Sequence, residues 1–276
     1  STSPSRWLTP ASNPPDRKDN RNGPTVLALE FPPINEILRW QDVFPSFNKI
    51  AIIAVAAALV GTVIFLIAGN ADGSKAPRGI RNFAEAIVEF IEGQIIMPTM
   101  GRDGLGWTPF MLSMFSFIYL CNVPGIIPII QMPATARMAI PLFLSLLVWV
   151  VFIGVGFKHQ GLGYLKSSLF PPGVPAALYI LVTPIEFIST FLVRPFSLTV
   201  RLFANMLAGH ILLVTFALLT EELVQGGNIA LIPVGILPFF MLVFLTAFEV
   251  LVAFLQAYIF TILAAVYIGG AAHPEH

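Results

Sequence analysis

The sequence predicts an all-α polytopic membrane protein, because it is rich in apolar residues, poor in charge and divided into long apolar runs. Of its 276 residues, 56% are hydrophobic and only 11% are charged, and the mean hydropathy is +0.82. Soluble domains carry roughly 25% charged residues. The formal net charge is zero, which does not favour nucleic acid as a partner.

Metal-ligating residues are few and scattered along the chain. The single cysteine, Cys121, excludes an internal disulfide and a cysteine metal cluster. The four histidines lack the spacing of metal ligands. We therefore expect neither a metal nor a cofactor.

The chain divides into a polar N-terminal part, a membrane domain and a short tail. Residues 1–47 are predicted to form a polar tail and an interfacial segment, because their first thirty or so positions are rich in proline, serine, asparagine and charge. The membrane domain is predicted over residues 48–272. Residues 273–276 then form a C-terminal tail.

Three ordinary transmembrane helices are predicted at residues 48–68, 108–127 and 138–157. Each run has about the twenty apolar residues that cross a hydrocarbon core of ~30 Å. Asn122-Val-Pro-Gly-Ile-Ile-Pro128 ends the second span, because proline and glycine stop helices.

An amphipathic helix is predicted between the first two spans. Apolar residues from Ile80 to Ile95 recur there at helical spacing, while Arg81, Glu85 and Glu89 fall on the other side. We expect this helix to lie at the membrane surface or against a partner.

Two overlong apolar segments, residues 174–219 and 229–268, follow the third span. As one helix the first would extend ~69 Å at ~1.5 Å per residue, more than twice the thickness of a hydrocarbon core. Tilt relieves such a mismatch. The sequence therefore predicts a C-terminal hairpin of two strongly tilted helices.

Basic residues in the short loops predict the orientation. Lys75, Arg78 and Arg102 follow the first span and Lys158 follows the third, whereas the hairpin turn carries Glu221 and Glu222 and no basic residue. We therefore expect the C-terminus on the cytoplasmic or matrix side and the N-terminus outside. Arg39 and Lys49, near the first span, oppose this assignment.

The first overlong segment carries two arginines, an asparagine and a histidine. An arginine at the centre of a bilayer costs at least ~2.5–3.5 kcal/mol, and it cannot lose its proton at physiological pH. At ~100° per residue, Asn205 and Arg194 share the face of Arg201, while His210 lies half a turn away. We predict a permanent cation on one side of this helix and a group that exchanges protons on the other.

The second overlong segment carries Glu249, Gln256 and Tyr267 on one stripe. Glutamate and histidine inside a membrane commonly mark a proton route, so Glu249 is a candidate relay partner of His210. Simpler interpretations remain open. Arg201 could form a structural ion pair with Glu249 or Glu186, Gln256 could join helices as a buried amide, and Tyr267 could be an interfacial anchor.

Arg201-Leu-Phe-Ala-Asn205-Met-Leu-Ala-Gly-His210 closely resembles the signature of the a subunit of F-type ATP synthases. Arg194-Pro-Phe-Ser197-Leu leads into it as in that family, and Leu255-Gln256-Ala-Tyr-Ile-Phe260-Thr-Ile-Leu263 is similar to the family's last helix. The resemblance covers roughly residues 48–270.

The resemblance implies a static proton-translocating subunit that packs against a rotating ring of c subunits, each with a buried carboxylate. The essential arginine of the family falls on Arg201, its asparagine on Asn205 and its glutamine on Gln256. The acid–histidine pair falls on His210 and Glu249, in the swapped order that other members use. Arg201 would discharge ring carboxylates and separate two offset half-channels. Glu186, Ser197 and Tyr267 are weaker candidates for the proton path.

Expected partners are the c ring, b-type peripheral stalk subunits, membrane lipid and, indirectly, the F1 sector. The expected location is a bacterial plasma membrane, with a mitochondrial inner membrane as the alternative. No glycine-rich phosphate loop is present, so we expect no ATP chemistry by this chain alone. Two other functional classes remain open. One is a secondary transporter or channel, although no internal repeat is seen in the sequence, and the other is a structural anchor in a respiratory complex.

Overall fold

The computed structural model describes residues 42–44, 47–69, 79–127, 133–161, 163–170, 178–225 and 232–272. The predicted N-terminal tail up to residue 41 and the C-terminal tail lie outside the described residues. At the start of the described chain, Asp42–Phe44 (β1) and Phe47–Asn48 (β2) pair as a short antiparallel ribbon. The rest of the described chain is almost entirely helical.

The described helices follow one another in the order that the apolar runs predict. Their bounds are α1 Lys49–Gly69, α2 Ile80–Ile91, α3 Met97–Met100, α4 Thr108–Asn122, α5 Ala139–Gln160, α6 Gly163–Leu169, α7 Tyr179–Ile188, α8 Arg194–Gln225 and α9 Ile232–Ala272. Among the described residues, five helical segments are long and apolar enough to cross a membrane: Ile50–Gly69, Arg102–Gly125, Ala139–Gln160, Tyr179–Val224 and Ile232–Ala272. The predicted fold class, an all-α polytopic membrane protein, is confirmed.

Two widened π-helical turns were not predicted. Glu92–Ile96 joins α2 to α3, and Ser189–Val193 joins α7 to α8. A π turn inserts one extra residue into an α-helix and shifts the faces on either side of it. The face on which Glu186 lies therefore cannot be derived from Arg194 by counting at a constant angle.

The amphipathic helix α2 begins at the surface and ends in the core. Ile80 and Phe83 are exposed, whereas Ile91 and Ile95, at and beyond its C-terminal end, are fully buried. Phe90 packs with Phe115, Phe254 and Tyr258, with ring centroids 5.7–5.9 Å apart. The segment thus anchors part of the helix bundle as well as presenting an acidic outer face.

The core lies where α9 meets α4 and α5. Small side chains at Ala257, Ala264 and Ala265 are completely buried, which lets neighbouring helices approach α9 closely. Larger side chains such as Ile118 and Phe152 fill the spaces between them.

The two long helices α8 and α9 pack side by side in opposite directions. Val224 contacts the backbone position of Gly235 near one end. Arg194 contacts Tyr267 near the other. Between these contacts, Gly209 lies against Glu249. This antiparallel register brings the polar residues of the two overlong segments together.

Candidate functional site

An exposed stripe on α8 carries Arg201 and Asn205. Its members recur every three or four residues, so they share one face of the helix. The exposed members are Arg201, Ala204, Asn205, Ala208 and Leu212. Two of the five are alanines, which leaves a shallow surface beside the guanidinium. A helix of another chain would be able to approach this stripe closely.

The guanidinium of Arg201 forms no ion pair with any carboxylate among the described residues. Glu249 is buried, only 6% exposed, while Arg201 is exposed on the outer side of α8. Glu186 is half-exposed and pairs with no described cation. Neither structural ion pair considered for Arg201 is therefore formed in the described part of the chain.

His210 and Glu249 occupy the interface between α8 and α9. His210 is 8% exposed and lies on the side of α8 that faces away from the Arg201 stripe. The carboxyl group of Glu249 rests against the α-carbon of Gly209, the residue directly before His210. A Cβ atom at position 209 would overlap both carboxyl oxygens of Glu249. The absence of a side chain at Gly209 thus admits the acid to the level of the histidine.

A small cavity adjoins His210. It has a volume of about 100 Å³ and is lined by His210, Thr246 and apolar residues of α8 and α9, with Gly125 and Ile126 from the end of the second span. A water molecule takes ~30 Å³ in the liquid, so the cavity has room for about three. The Thr246 hydroxyl donates to the Leu242 carbonyl at 2.8 Å, which leaves its oxygen able to accept from water.

Gln256 and Asn205 differ in their exposure. Gln256 is 5% exposed, whereas Asn205 is exposed on the Arg201 stripe. Ser197 is half-buried, and its hydroxyl donates to the Arg194 carbonyl at 3.1 Å within α8. Within the described residues, the structure therefore places Glu249 against Gly209, the residue before His210, and does not join Gln256 to Arg201 by a hydrogen bond.

Arg194 and Tyr267 form a contact that sequence reasoning did not predict. The Arg194 Cζ atom lies 5.1 Å from the centroid of the Tyr267 ring, within the range of a cation–π interaction. The Tyr267 ring also packs against Phe152 of α5, at 6.0 Å between centroids. Burial raises the pKa of Tyr164, in α6, and the positive charge of Arg194 offsets part of that rise. Arg194 thus belongs to an aromatic cluster near one end of the hairpin.

A buried hydroxyl pair fixes α8 against α5. The oxygen atoms of Ser145 and Thr199 lie 2.6 Å apart, and both residues are completely buried. The Thr199 hydroxyl also lies 2.8 Å from the Pro195 carbonyl of its own helix. This contact lies two residues before Arg201, so it helps to set the rotation of α8 and the direction of its exposed stripe.

Sequence reasoning missed Gly209 and the hydroxyl pair for different reasons. Gly209 immediately precedes a titratable residue in a helix, and glycine inside a helix costs ~1 kcal/mol relative to alanine. That cost is a signal that something approaches the backbone there. Ser145 and Thr199 are each unremarkable in sequence, since hydroxyl residues occur throughout transmembrane helices.

Five apolar helical segments define an integral membrane protein, and the charged and titratable groups on α8 and α9 are typical of proteins that translocate ions. A family described as ATP synthase A chain matches residues 50–269 of this chain. The ATP synthase subunit a of Frankia alni is 44% identical over 262 residues, covering 92% of this chain and 87% of that protein. That of Rhodococcus erythropolis is 40% identical over 234 residues, covering 83% and 84%.

A third relative, the ATP synthase subunit a of Bartonella quintana, is 38% identical over 231 residues, covering 84% of this chain and 89% of that protein. The chain belongs to the ATP synthase subunit a family, the proton-translocating stator subunits of the membrane sector Fo. It is a membrane protein and a component of a multisubunit complex for ATP synthesis, which confirms the family resemblance seen in the sequence.

Proposed function

We propose that Arg201 separates two offset half-channels and discharges the carboxylates of a rotating c ring, while His210 and Glu249 relay protons on the outer side. The observation that carries this proposal is the position of Arg201. It is exposed on an apolar helix, and among the described residues it has no ion-pair partner. A cation in this environment needs an opposite charge from another chain.

The exposed stripe supports a ring of helices as the partner. Ala204 and Ala208 flank Asn205 on the same face as Arg201, so a c-subunit helix can approach until its carboxylate meets the guanidinium. A nearby guanidinium favours the ionised form of a carboxyl group. The ring site would therefore release its proton as it reaches Arg201.

The proton released at Arg201 must not return to the compartment from which it came. Arginine keeps its proton at any physiological pH, so it cannot act as a stepping stone between the half-channels. Its fixed charge also repels a proton that approaches from either side. Asn205, on the same face, would share the ring carboxylate with Arg201, so that the carboxylate and Arg201 would not form a lasting ion pair.

The buried side of the same helix supports a separate route for proton entry. Glu249 lies beside the backbone of Gly209, and His210 borders a cavity with room for about three water molecules. Histidine exchanges protons near neutral pH. Protons would pass from this cavity through His210 and Glu249 to an incoming ring site. Gln256 is buried about two helical turns further along α9.

The energy for rotation comes from the membrane potential and the pH difference. Each proton that crosses ~100 mV releases ~2.3 kcal/mol.

Bacterial relatives support a plasma membrane as the location. The basic residues in the loops support an orientation with the C-terminus in the cytoplasm and the N-terminus outside. We also propose b-type peripheral stalk subunits as partners that hold this subunit still against the ring.

The test uses membrane vesicles that contain the complete ATP synthase with Arg201→Ala. We expect ATP-driven proton pumping and proton-driven ATP synthesis to fall to background, because ring carboxylates would no longer be discharged. Arg137→Ala, which removes an exposed arginine from the loop before α5, is the matched control and should retain both activities. Normal pumping by an assembled Arg201→Ala complex would overturn the proposal.

A further inference from the structure

A groove opens between the C-terminal end of α1 and the outer face of α2. Its volume is about 740 Å³, within the range of ~300–1,000 Å³ that is typical of sites for small molecules. Apolar side chains, Phe65 of α1 and Val88 of α2 among them, form most of its wall. Glu85, Glu89 and Glu92 also line it, and the described residues of this wall include no lysine, arginine or histidine.

The three carboxylates of the groove differ in what they already contact. The Glu85 carboxylate accepts a hydrogen bond from Nε of Arg81 at 2.7 Å. The Glu92 carboxylate accepts one from the Thr108 hydroxyl at 2.9 Å. Glu89 is exposed and forms neither an ion pair nor a hydrogen bond with a described residue. The groove therefore carries an excess of negative charge, which complements a cationic group.

A narrower slot continues the groove into the membrane, between α1 and α4. Its volume is about 440 Å³, and Phe65 borders both spaces. Ala58, Thr62 and Ser113 are among the small side chains that line the slot. The Thr62 hydroxyl donates to the Ala58 carbonyl and the Ser113 hydroxyl to the Pro109 carbonyl, each at 2.7 Å. Neither hydroxyl therefore needs a polar partner from the slot, which suits a hydrocarbon chain.

The slot ends near the middle of the membrane. From Gly69 back to Ala57 is twelve residues of α1, or ~18 Å, compared with ~15 Å for half of a hydrocarbon core of ~30 Å. Beyond this point Ala57, Ile50 of α1, Cys121 of α4 and Ala134 form one buried cluster, so no space remains there. A transmembrane helix would need a groove through the whole membrane, whereas an acyl chain needs a slot only one leaflet deep.

We propose that the groove and the slot together bind one phospholipid whose headgroup carries a primary ammonium, such as phosphatidylethanolamine. The ammonium group donates to Glu89 and its neighbouring carboxylates, and one acyl chain passes Phe65 and occupies the slot. Arg81, which pairs with Glu85, supplies a positive charge for the lipid phosphate at the rim of the groove. The proposed orientation of the chain puts this site in the cytoplasmic leaflet.

The chemistry of the wall distinguishes this headgroup from two others. Carboxylates only accept hydrogen bonds, and the quaternary ammonium of phosphatidylcholine has no N–H to donate. Phosphatidylglycerol brings negative charge and no cation to a wall that is already acidic, so it is repelled. We therefore expect selectivity for phosphatidylethanolamine over both of these lipids, although their acyl chains would fit the slot equally well.

The test uses phosphatidylethanolamine with a photoactivatable group on its acyl chain, in vesicles that contain the complete ATP synthase. After illumination, mass spectrometry identifies the labelled peptides. We expect label on the residues that line the slot, Ala58 and Thr62 among them. An excess of unlabelled phosphatidylethanolamine should remove most of this label, whereas the same amount of phosphatidylglycerol or phosphatidylcholine should remove several times less.

Two pairs of variants test the two parts of the site. Glu89→Gln should reduce labelling of the slot several-fold, whereas Glu222→Gln, an equal change at an exposed glutamate that lines neither space, should not. Ala58→Phe places a ring in the slot and should abolish the label. Ala56→Phe, at an exposed position of α1 outside the slot, should retain it.

Three results would each overturn the proposal. Equal competition by the three lipids, or full labelling of Glu89→Gln, would mean that the carboxylates do not recognise the headgroup. A slot without lipid label whose residues instead cross-link to another subunit would mean that a partner chain covers it. Lipid labelling does not depend on proton transport, so none of these results bears on the proposed role of Arg201.

Discussion

Gly209→Ala should disable the acid–histidine pair while leaving the helix intact. The added Cβ atom would lie 2.5 Å from Cδ of Glu249 and overlap both carboxyl oxygens, whereas an ordinary contact begins at 3.4 Å. The carboxyl group must therefore move by roughly 1 Å or more. A displacement of ~1 Å in a catalytic arrangement can reduce a rate by ~10²-fold.

The same substitution should not unfold the helix. Alanine is favoured over glycine inside an α-helix by ~1 kcal/mol, so local propensity opposes any loss of secondary structure. We therefore expect an assembled complex whose proton-driven ATP synthesis falls by about tenfold to a hundredfold. Gly154→Ala is the matched control, because a Cβ atom at position 154 of α5 meets nothing within 4 Å.

A second variant tests whether the overlap with Glu249 is the cause. Glu249→Asp shortens the acid by one methylene group and withdraws the carboxyl group from position 209. Gly209→Ala should therefore reduce the rate of ATP synthesis less when it is combined with Glu249→Asp than when Glu249 is present. The rate of the double variant is compared with that of Glu249→Asp alone. If Gly209→Ala performs as well as Gly154→Ala, the reasoning from this contact is refuted.

Two further predictions concern how α8 is held. Tyr267→Leu should lower the stability of the assembled membrane sector by about 0.5–2 kcal/mol, because the contact with Arg194 is lost. Tyr267→Phe retains a ring and should lose much less stability. Equal losses in the two variants would contradict the cation–π interpretation. Ser145→Ala and Thr199→Ala should each cost about 1 kcal/mol of stability in the same denaturation measurement. The double variant should cost less than the two single costs added together, because both remove one shared contact; strict additivity would show that the hydroxyls do not interact.

The fold was largely predictable because the membrane imposes a simple pattern. A helix that crosses ~30 Å of hydrocarbon needs about twenty apolar residues, and runs of this kind are visible without a structure. Residues 48–68 were predicted for the first span, and α1 covers Lys49–Gly69. The overlong segments were equally visible, since Met241 to Ile268 contains neither proline nor glycine.

The π turns were not predictable from periodicity. Ser189–Val193 ends two residues before Pro195, which lacks a backbone N–H, but apolar periodicity alone does not reveal the extra residue of a widened turn. This turn shifts the register between Glu186 and Arg194. For the same reason, the position of Glu186 relative to the charged stripe required the structure.

The two faces of α8 were predictable, whereas the contacts across the hairpin were not. Spacing alone puts Asn205 beside Arg201 and His210 on the opposite side, and exposure in the structure follows that division. The pairing of Gly209 with Glu249 depends on the register of α8 against α9. A sequence without its structure contains no direct measure of that register.

Passive proton conductance tests the gate role of Arg201 most directly. Vesicles containing the membrane sector without F1 are given a proton gradient, and its decay is compared for the unmodified protein, Arg201→Ala and Arg137→Ala. If Arg201 separates two half-channels, Arg201→Ala should retain or increase the passive leak although ATP-driven pumping is lost. An Arg201→Ala sector that assembles normally, conducts protons less than Arg137→Ala and still pumps with ATP once F1 is rebound would contradict a gate at Arg201.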